Sequence, residues 1–159
     1  METPDSNLPE LTKAKLAFIE RLALYYEGFG IPRIAGRMFG LFLVTTQPLS
    51  AEHIAAALEA SLSSISTNIR AIIANGWVEK VTVRGERTSY YRLATQAWQR
   101  VLERRRQALM PLKDLADSML ADLSTDDPAE KQLQDMSAWA NFLVGHYEVL
   151  IKTWNQEQK

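Results

Sequence analysis

The chain has 159 residues, 47% of them apolar, and a formal net charge of -1. It can therefore build a packed core, and it is not a uniformly basic coat for nucleic acid. It has no cysteine and only two histidines, His53 and His146, which excludes disulfide frameworks, thiolate metal sites and cysteine nucleophiles.

Residues 8–27 read as a first helix, with Leu16, Ile19, Ala23 and Tyr26 at helical spacing. Gly28-Phe29-Gly30-Ile31-Pro32 ends it. Pro32 suits the first turn of a second helix, where its missing N–H costs nothing. That helix, through Val44, is apolar on most faces and is expected at the centre of the core. Gly36 and Gly40 offer a smooth stripe for close helix packing. Gln47-Pro48 is the next break. Ser50 then reads as an N-cap, with Glu52 in the first turn and Leu49 and Ile54 at the staple positions. The resulting helix, 51–59, is short. Ser61 caps another at 62–75, and Gly76 suits the position after its end. Two short helices so close together have the spacing of a helix-turn-helix.

The period then changes. Trp77–Val83 is rich in β-branched and aromatic residues, Arg84-Gly85-Glu86-Arg87 supplies a turn, and Thr88–Leu93 reads as the returning strand. Helix, turn, helix, hairpin in that order predicts a mainly α fold with one small β-hairpin, a winged helix-turn-helix. Thr95 is expected to cap a long helix over 96–123, kinked at Pro111. Ser124–Pro128 stops that helix and starts a last one over 129–155. Leu133, Met136, Ala140, Leu143, Tyr147, Leu150 and Trp154 recur there at intervals of three and four, a heptad seam. Trp139, Phe142, Val144 and Ile151 widen it, so more than one neighbour is expected to be covered, either a second chain or the molecule's own core.

The near-neutral total hides an uneven spread. Residues 60–106 carry 9 basic and 3 acidic side chains, net +6, whereas 1–59 have a net charge of -2 and 107–159 of -5. The basic middle is where an anionic partner is sought. With residues set 100° apart around 62–75, Leu62, Ile65, Ile69, Ile72 and Ile73 gather on the core side. Ser63, Ser64, Thr67, Arg70, Ala71 and Ala74 gather on the other. That outer face is small, polar and free of acids, which suits the major groove of double-stranded DNA. Its hydroxyls meet phosphates or base edges, Arg70 reaches guanine or phosphate, and Asn68 at the margin reads adenine. Arg84 and Arg87 at the hairpin tip suit the phosphate backbone or a narrow minor groove. Arg104-Arg105-Arg106 lies inside a helix, and at least one of the three is expected to pair with an acid rather than with DNA.

Together, Gly30-Ile31-Pro32-Arg33-Ile34-Ala35-Gly36-Arg37-Met38-Phe39-Gly40, the serine-rich helix, Asn75-Gly76-Trp77-Val78, the arginine-tipped wing and Tyr90-Tyr91 resemble the GbsR-like branch of the MarR transcriptional regulators. The resemblance is densest over 28–98. It implies a homodimer held by its first and last helices; a cytoplasmic location is expected separately, from the lack of an apolar span or a leader-like start in the sequence. The divisions are then an N-terminal dimerisation helix at 1–30, a DNA-binding domain at 31–95 and C-terminal dimerisation helices at 96–159. It also implies a pseudo-palindromic operator, with 62–75 as recognition helix and 77–92 as wing, and Arg33 and Arg37 near the junction of the dimer and DNA-binding parts. The usual glycine or methionine at the helix-helix turn is here Glu59-Ala60-Ser61. Some relatives sense choline or other small molecules. Tyr25, Tyr26, Trp98, Trp139 and Tyr147 are the aromatics for such a cage, but each falls at core spacing, so no effector site is assigned.

The expected function is a sequence-specific DNA-binding transcriptional regulator, a repressor, with a small-molecule effector as a further candidate partner. The alternative is a winged-helix module that binds protein, which an acidic or apolar outer face on 62–75 would favour. An enzyme is the third class. His53 beside Glu52 and His146 near Glu148 make no metal-ligand or nucleophile–base spacing, so no catalytic residue, metal or cofactor is expected. No apolar run approaches the about 20 residues of a membrane span, and the acidic, polar start does not read as a secretory leader.

Overall fold

The computed structural model describes residues 9–85, 87–124 and 127–158. The chain divides into two compact units, one through Ala97 and one from Trp98.

The first unit is built on two helices. Thr12 caps α1 (Lys13–Glu27) through its side chain, which accepts from the Lys15 amide. The described part of the expected 8–27 helix thus starts at its cap rather than before it. Helix α2 (Arg33–Val44) follows Pro32 and buries Ala35, Gly36, Met38, Phe39, Gly40, Leu41 and Phe42, as its apolar faces predict. It touches α1 along its length and also packs on α4 (Leu62–Ala74). Phe39 stacks on Trp77 at a centroid distance of 4.4 Å, and Tyr26 of α1 closes the cluster 4.8 Å from Trp77.

Ser50 caps α3 (Ala51–Ala57), its hydroxyl accepting from the His53 amide, and the staple residues Leu49 and Ile54 are both buried. Ser61 caps α4 in the same way, accepting from the Ser64 amide. Gly76 follows α4 at φ 79°, a left-handed conformation that a glycine adopts without strain. The helix-helix turn is solved differently, because Glu59 itself takes φ 49°.

The hairpin of β2 (Val78–Val81) and β3 (Tyr90–Leu93) is present, and Val78 pairs with Leu93. A third strand was not expected. Leu49 and Ser50 form β1, antiparallel to Tyr91 and Tyr90 of β3, so the sheet order is β1-β3-β2. A two-residue strand has no alternation to read in a sequence. Its residues also had another evident role, as staple and cap.

The second unit holds two helices. Helix α5 runs Ala97–Asp122 without a break at Pro111, and α6 runs Glu130–Glu157. Thr95 does not cap α5; its hydroxyl donates to Glu79 Oε1 at 3.2 Å, and Gln96 takes φ 57°. An acidic cap was expected for α6 before Pro128, but its N-cap is Ala129, with no side-chain cap bond; Asp127 instead accepts from the Ala129 amide at 2.8 Å in the turn ahead of the helix, and Thr125 and Asp126 lie outside the described residues. Arg106 is the member of the arginine run that pairs with acids, with Glu103 at 2.7 Å and Glu148 at 3.5 Å. Its guanidinium holds the Glu103 carboxyl below the usual carboxylate range. The heptad seam is largely the covered side of α6: Ala140 is buried and Leu133, Met136, Leu143, Tyr147 and Trp154 are half-buried, while Leu150 is exposed. The apolar stripe left exposed is the neighbouring one, Trp139, Phe142 and Val149.

Candidate nucleic-acid interface

Helix α4 is fixed from beneath. Ile65, Ile69 and Ile72 are buried, and three buried β-branched residues at helical spacing leave little freedom to roll. The opposite side is set by that anchoring. Ser63, Thr67 and Arg70 are exposed, as expected, whereas Ser64 and Asn68 are half-buried. Thr67 donates its hydroxyl proton to the Ser63 carbonyl, and Asn68 Nδ2 donates to the Ser64 carbonyl, both at 2.9 Å. Asn68 would have to give up that bond before its amide could read a base on two sides. Arg70 has no ion-pair partner among the described residues, and neither have Arg84 and Arg87.

Two residues of this face were misplaced by the 100° wheel. Ser66, absent from the expected face, is exposed. Leu62, expected in the core, is 45% exposed. The wheel assigns a leucine by type, but the first helical residue lies beyond the edge of the packing beneath. The first turn of α4 carries no acid, although that is where a helix dipole favours one.

The wing has a rigid base. Glu79 on β2 faces Arg92 on β3 in the ladder, and the two are ion-paired at 2.9 Å. Thr95 binds the same carboxylate. Arg92 is therefore already engaged, while the exposed tip residues Arg84 and Arg87 flank Gly85 at φ 90°. Glu86 lies outside the described residues.

Arg33 and Arg37 have a different task. Both bind Glu20 of α1, Arg33 at 2.9 Å and Arg37 at 2.6 Å. The hydrogen bond from Arg33, with Arg37 beside it, holds the Glu20 carboxyl below the usual carboxylate range. The pair locks α1 to the start of α2. His53 lies 6.3 Å from the Tyr90 ring, and His146 Nδ1 is 2.7 Å from the Phe142 carbonyl oxygen. Among the described residues no group of three His, Asp or Glu could hold a metal ion, and no helix is long and apolar enough to cross a membrane.

A capped helix pair followed by a hairpin, with a short third strand from just before the pair completing the sheet, defines a winged helix-turn-helix protein. The model of the MmpR5-like MarR family transcriptional regulators matches residues 96–157. The chain is 34% identical over 134 residues to the HTH-type transcriptional regulator MmpR5 of Mycobacterium tuberculosis, with 81% of each chain covered. It is 23% identical over 146 residues to the putative HTH-type transcriptional regulator YvaV of Bacillus subtilis, covering 83% of this chain and 82% of that one. The crystal structure of a transcriptional regulator superposes with a TM-score of 0.83 at 32% identity, over 90% of this chain and 99% of that one. The chain belongs to the MarR family of transcriptional regulators. It is a DNA-binding regulator and not an enzyme.

Proposed function

We propose that the protein is a cytoplasmic repressor that binds a pseudo-palindromic operator as a homodimer. In this reading α4 enters the major groove and the wing lies on the flanking backbone. Ser63, Ser64, Thr67, Asn68 and Arg70 are the reading residues, and Arg84 and Arg87 the wing contacts. The observation that carries it is the α4 outer face: exposed, acid-free, and presenting an arginine without an ion-pair partner among the described residues. A face meant only for solvent gains nothing from excluding acids, whereas a face meant for phosphates does.

The division into an N-terminal dimerisation helix, a DNA-binding domain at 31–95 and C-terminal dimerisation helices belongs to the same reading. Support comes from the apolar side chains left exposed on the outer helices, Phe18 and Tyr25 on α1 and Trp139, Phe142 and Val149 on α6. A stripe of that kind on a monomer marks an association surface. The Gly30–Gly40 string supports placement in the GbsR-like branch, and a small-molecule effector remains part of the reading as in that branch.

The test is selection of duplexes from a random library, followed by footprinting of the winner. The expected result is two protected half-sites whose centres are about 34 Å apart, bound by a species of twice the chain mass in light scattering. Phe142→Asp should shift that mass towards the monomer, because it puts a charge into the apolar stripe. A monomer that protects one undivided site would overturn the dimeric reading.

A further inference from the structure

We infer that Leu62 is a specificity-determining residue that reads a thymine methyl group in the DNA major groove; the inference rests on α4 being the recognition helix. Leu62 is the first residue of α4 and 45% exposed. It heads a row of exposed residues four apart, Leu62, Ser66, Arg70 and Ala74, which share one side of a helix. Ser66, Arg70 and Ala74 turn progressively away from the buried Ile65, Ile69 and Ile72, whereas Leu62 shares their side and is exposed because it stands in the first turn of the helix, the end whose residues meet base edges when such a helix enters the groove. The neighbouring hydroxyls of Ser61 and Ser63 lie 3.4 Å apart and the first turn of α4 carries no acid, so the leucine is an exposed apolar group beside hydroxyls.

The chemistry of the groove selects the partner. Of the four bases only thymine presents a methyl group there, and an apolar side chain is its usual reader. Arg70 answers the opposite pattern, the two acceptors of guanine. The eight positions from Leu62 to Arg70 correspond to about 12 Å of helix axis, so the two side chains address different base pairs. One row of the helix thus carries two distinct readers.

The experiment uses the full chain and a duplex selected by it from random DNA. Each thymine of one half-site is replaced in turn by deoxyuridine, which removes only the methyl group. The wild-type protein should bind about fourfold more weakly at one thymine position, the value of one buried methyl-sized group. Leu62→Ala should bind the thymine and uracil duplexes equally, and Leu62→Met should keep the discrimination. Position 62 is exposed, so both variants should retain the wild-type circular dichroism spectrum and melting temperature. The inference is overturned if no thymine is sensitive, or if the sensitivity persists undiminished in Leu62→Ala. Either result leaves α4 as reader intact as long as the selected duplex is still preferred over random DNA. If no duplex is preferred at all, the reading of α4 falls and this inference with it.

Discussion

Gly36 of α2 lies so close to Ala23 of α1 that a Cβ at position 36 would sit 2.8 Å from the Ala23 Cα. One turn on, a Cβ at Gly40 would meet the Ile19 Cα at 3.1 Å. Ala23 and Ile19 are both buried, so these approaches set the spacing of the two helices. The obstacle is backbone, not the end of a flexible side chain. Gly36→Ala is therefore expected to destabilise the protein by about 1–3 kcal/mol, the usual cost of overpacking, despite the better helix propensity of alanine. Gly40→Ala should cost less. Urea unfolding at one fixed protein concentration checks both, and an unchanged midpoint for Gly36→Ala would contradict the close approach.

This packing was readable from the spacing of two glycines, and so were the caps at Ser50 and Ser61, because each depends on neighbours in the chain. The third strand and the role of Thr95 were not, because each depends on a partner far away in sequence: Tyr90 and Tyr91 for β1, Glu79 for Thr95. The recognition face was legible in its centre, Ser63, Thr67 and Arg70. Its edges were not, since Leu62 and Ser66 differ from Ser64 and Asn68 only in where the core beneath α4 stops. On α6 the period alone gave two stripes of similar apolarity, and only burial tells the covered one from the exposed one.

Glu20 gives a pH dependence with a definite sign. Its carboxyl is held below the ordinary carboxylate range, chiefly by the hydrogen bond from Arg33. A depressed carboxylate contributes stability that is complete above its unfolded value, near pH 4.3, and is lost as pH falls through the lower folded value. The wild type should therefore exceed Glu20→Gln in stability by a constant amount at neutral pH, and the gap should close on acidification below about pH 4. The effect should be modest, because Glu20 is partly exposed and solvent screens the pair. A gap that widens in acid would reverse the assignment.

Glu59 holds a left-handed conformation, φ 49°, at the turn between α3 and α4. For an L-residue with a side chain that conformation costs about 1 kcal/mol or more, and for glycine it does not. Glu59→Gly should raise the melting temperature or leave it unchanged, whereas Glu59→Val, with its branched Cβ, should lower it. Thermal unfolding of the three proteins side by side decides it. A valine variant as stable as the wild type would mean that the turn has relaxed to another shape.

Arg84 and Arg87 sit at the wing tip, exposed and without ion-pair partners among the described residues. Replacing both by alanine should weaken binding to selected and random DNA by similar factors. It should also flatten the slope of log K against log salt by about 0.9 for each phosphate that the wing no longer neutralises. Glu79 and Arg92 hold the base of the wing, so the tip variant keeps its fold and the comparison is clean. Titrations at several salt concentrations give the slope, and an unchanged slope would take the wing off the DNA.

Arg70 should behave in the opposite way. It projects from the side of α4 opposite Ile65, Ile69 and Ile72, and its guanidinium has no ion-pair partner among the described residues. A bidentate pair with guanine is directional and discriminates by about 1–3 kcal/mol against the wrong base. Arg70→Ala should thus weaken binding to the selected duplex by about that amount and leave binding to random DNA nearly unchanged. The ratio of the two affinities is the quantity to measure. If both affinities fall by one factor, Arg70 is a phosphate clamp, and sequence reading rests on Leu62 and the hydroxyls of Ser63 and Thr67. If neither changes while the fold and the dimer survive, α4 is not the recognition helix.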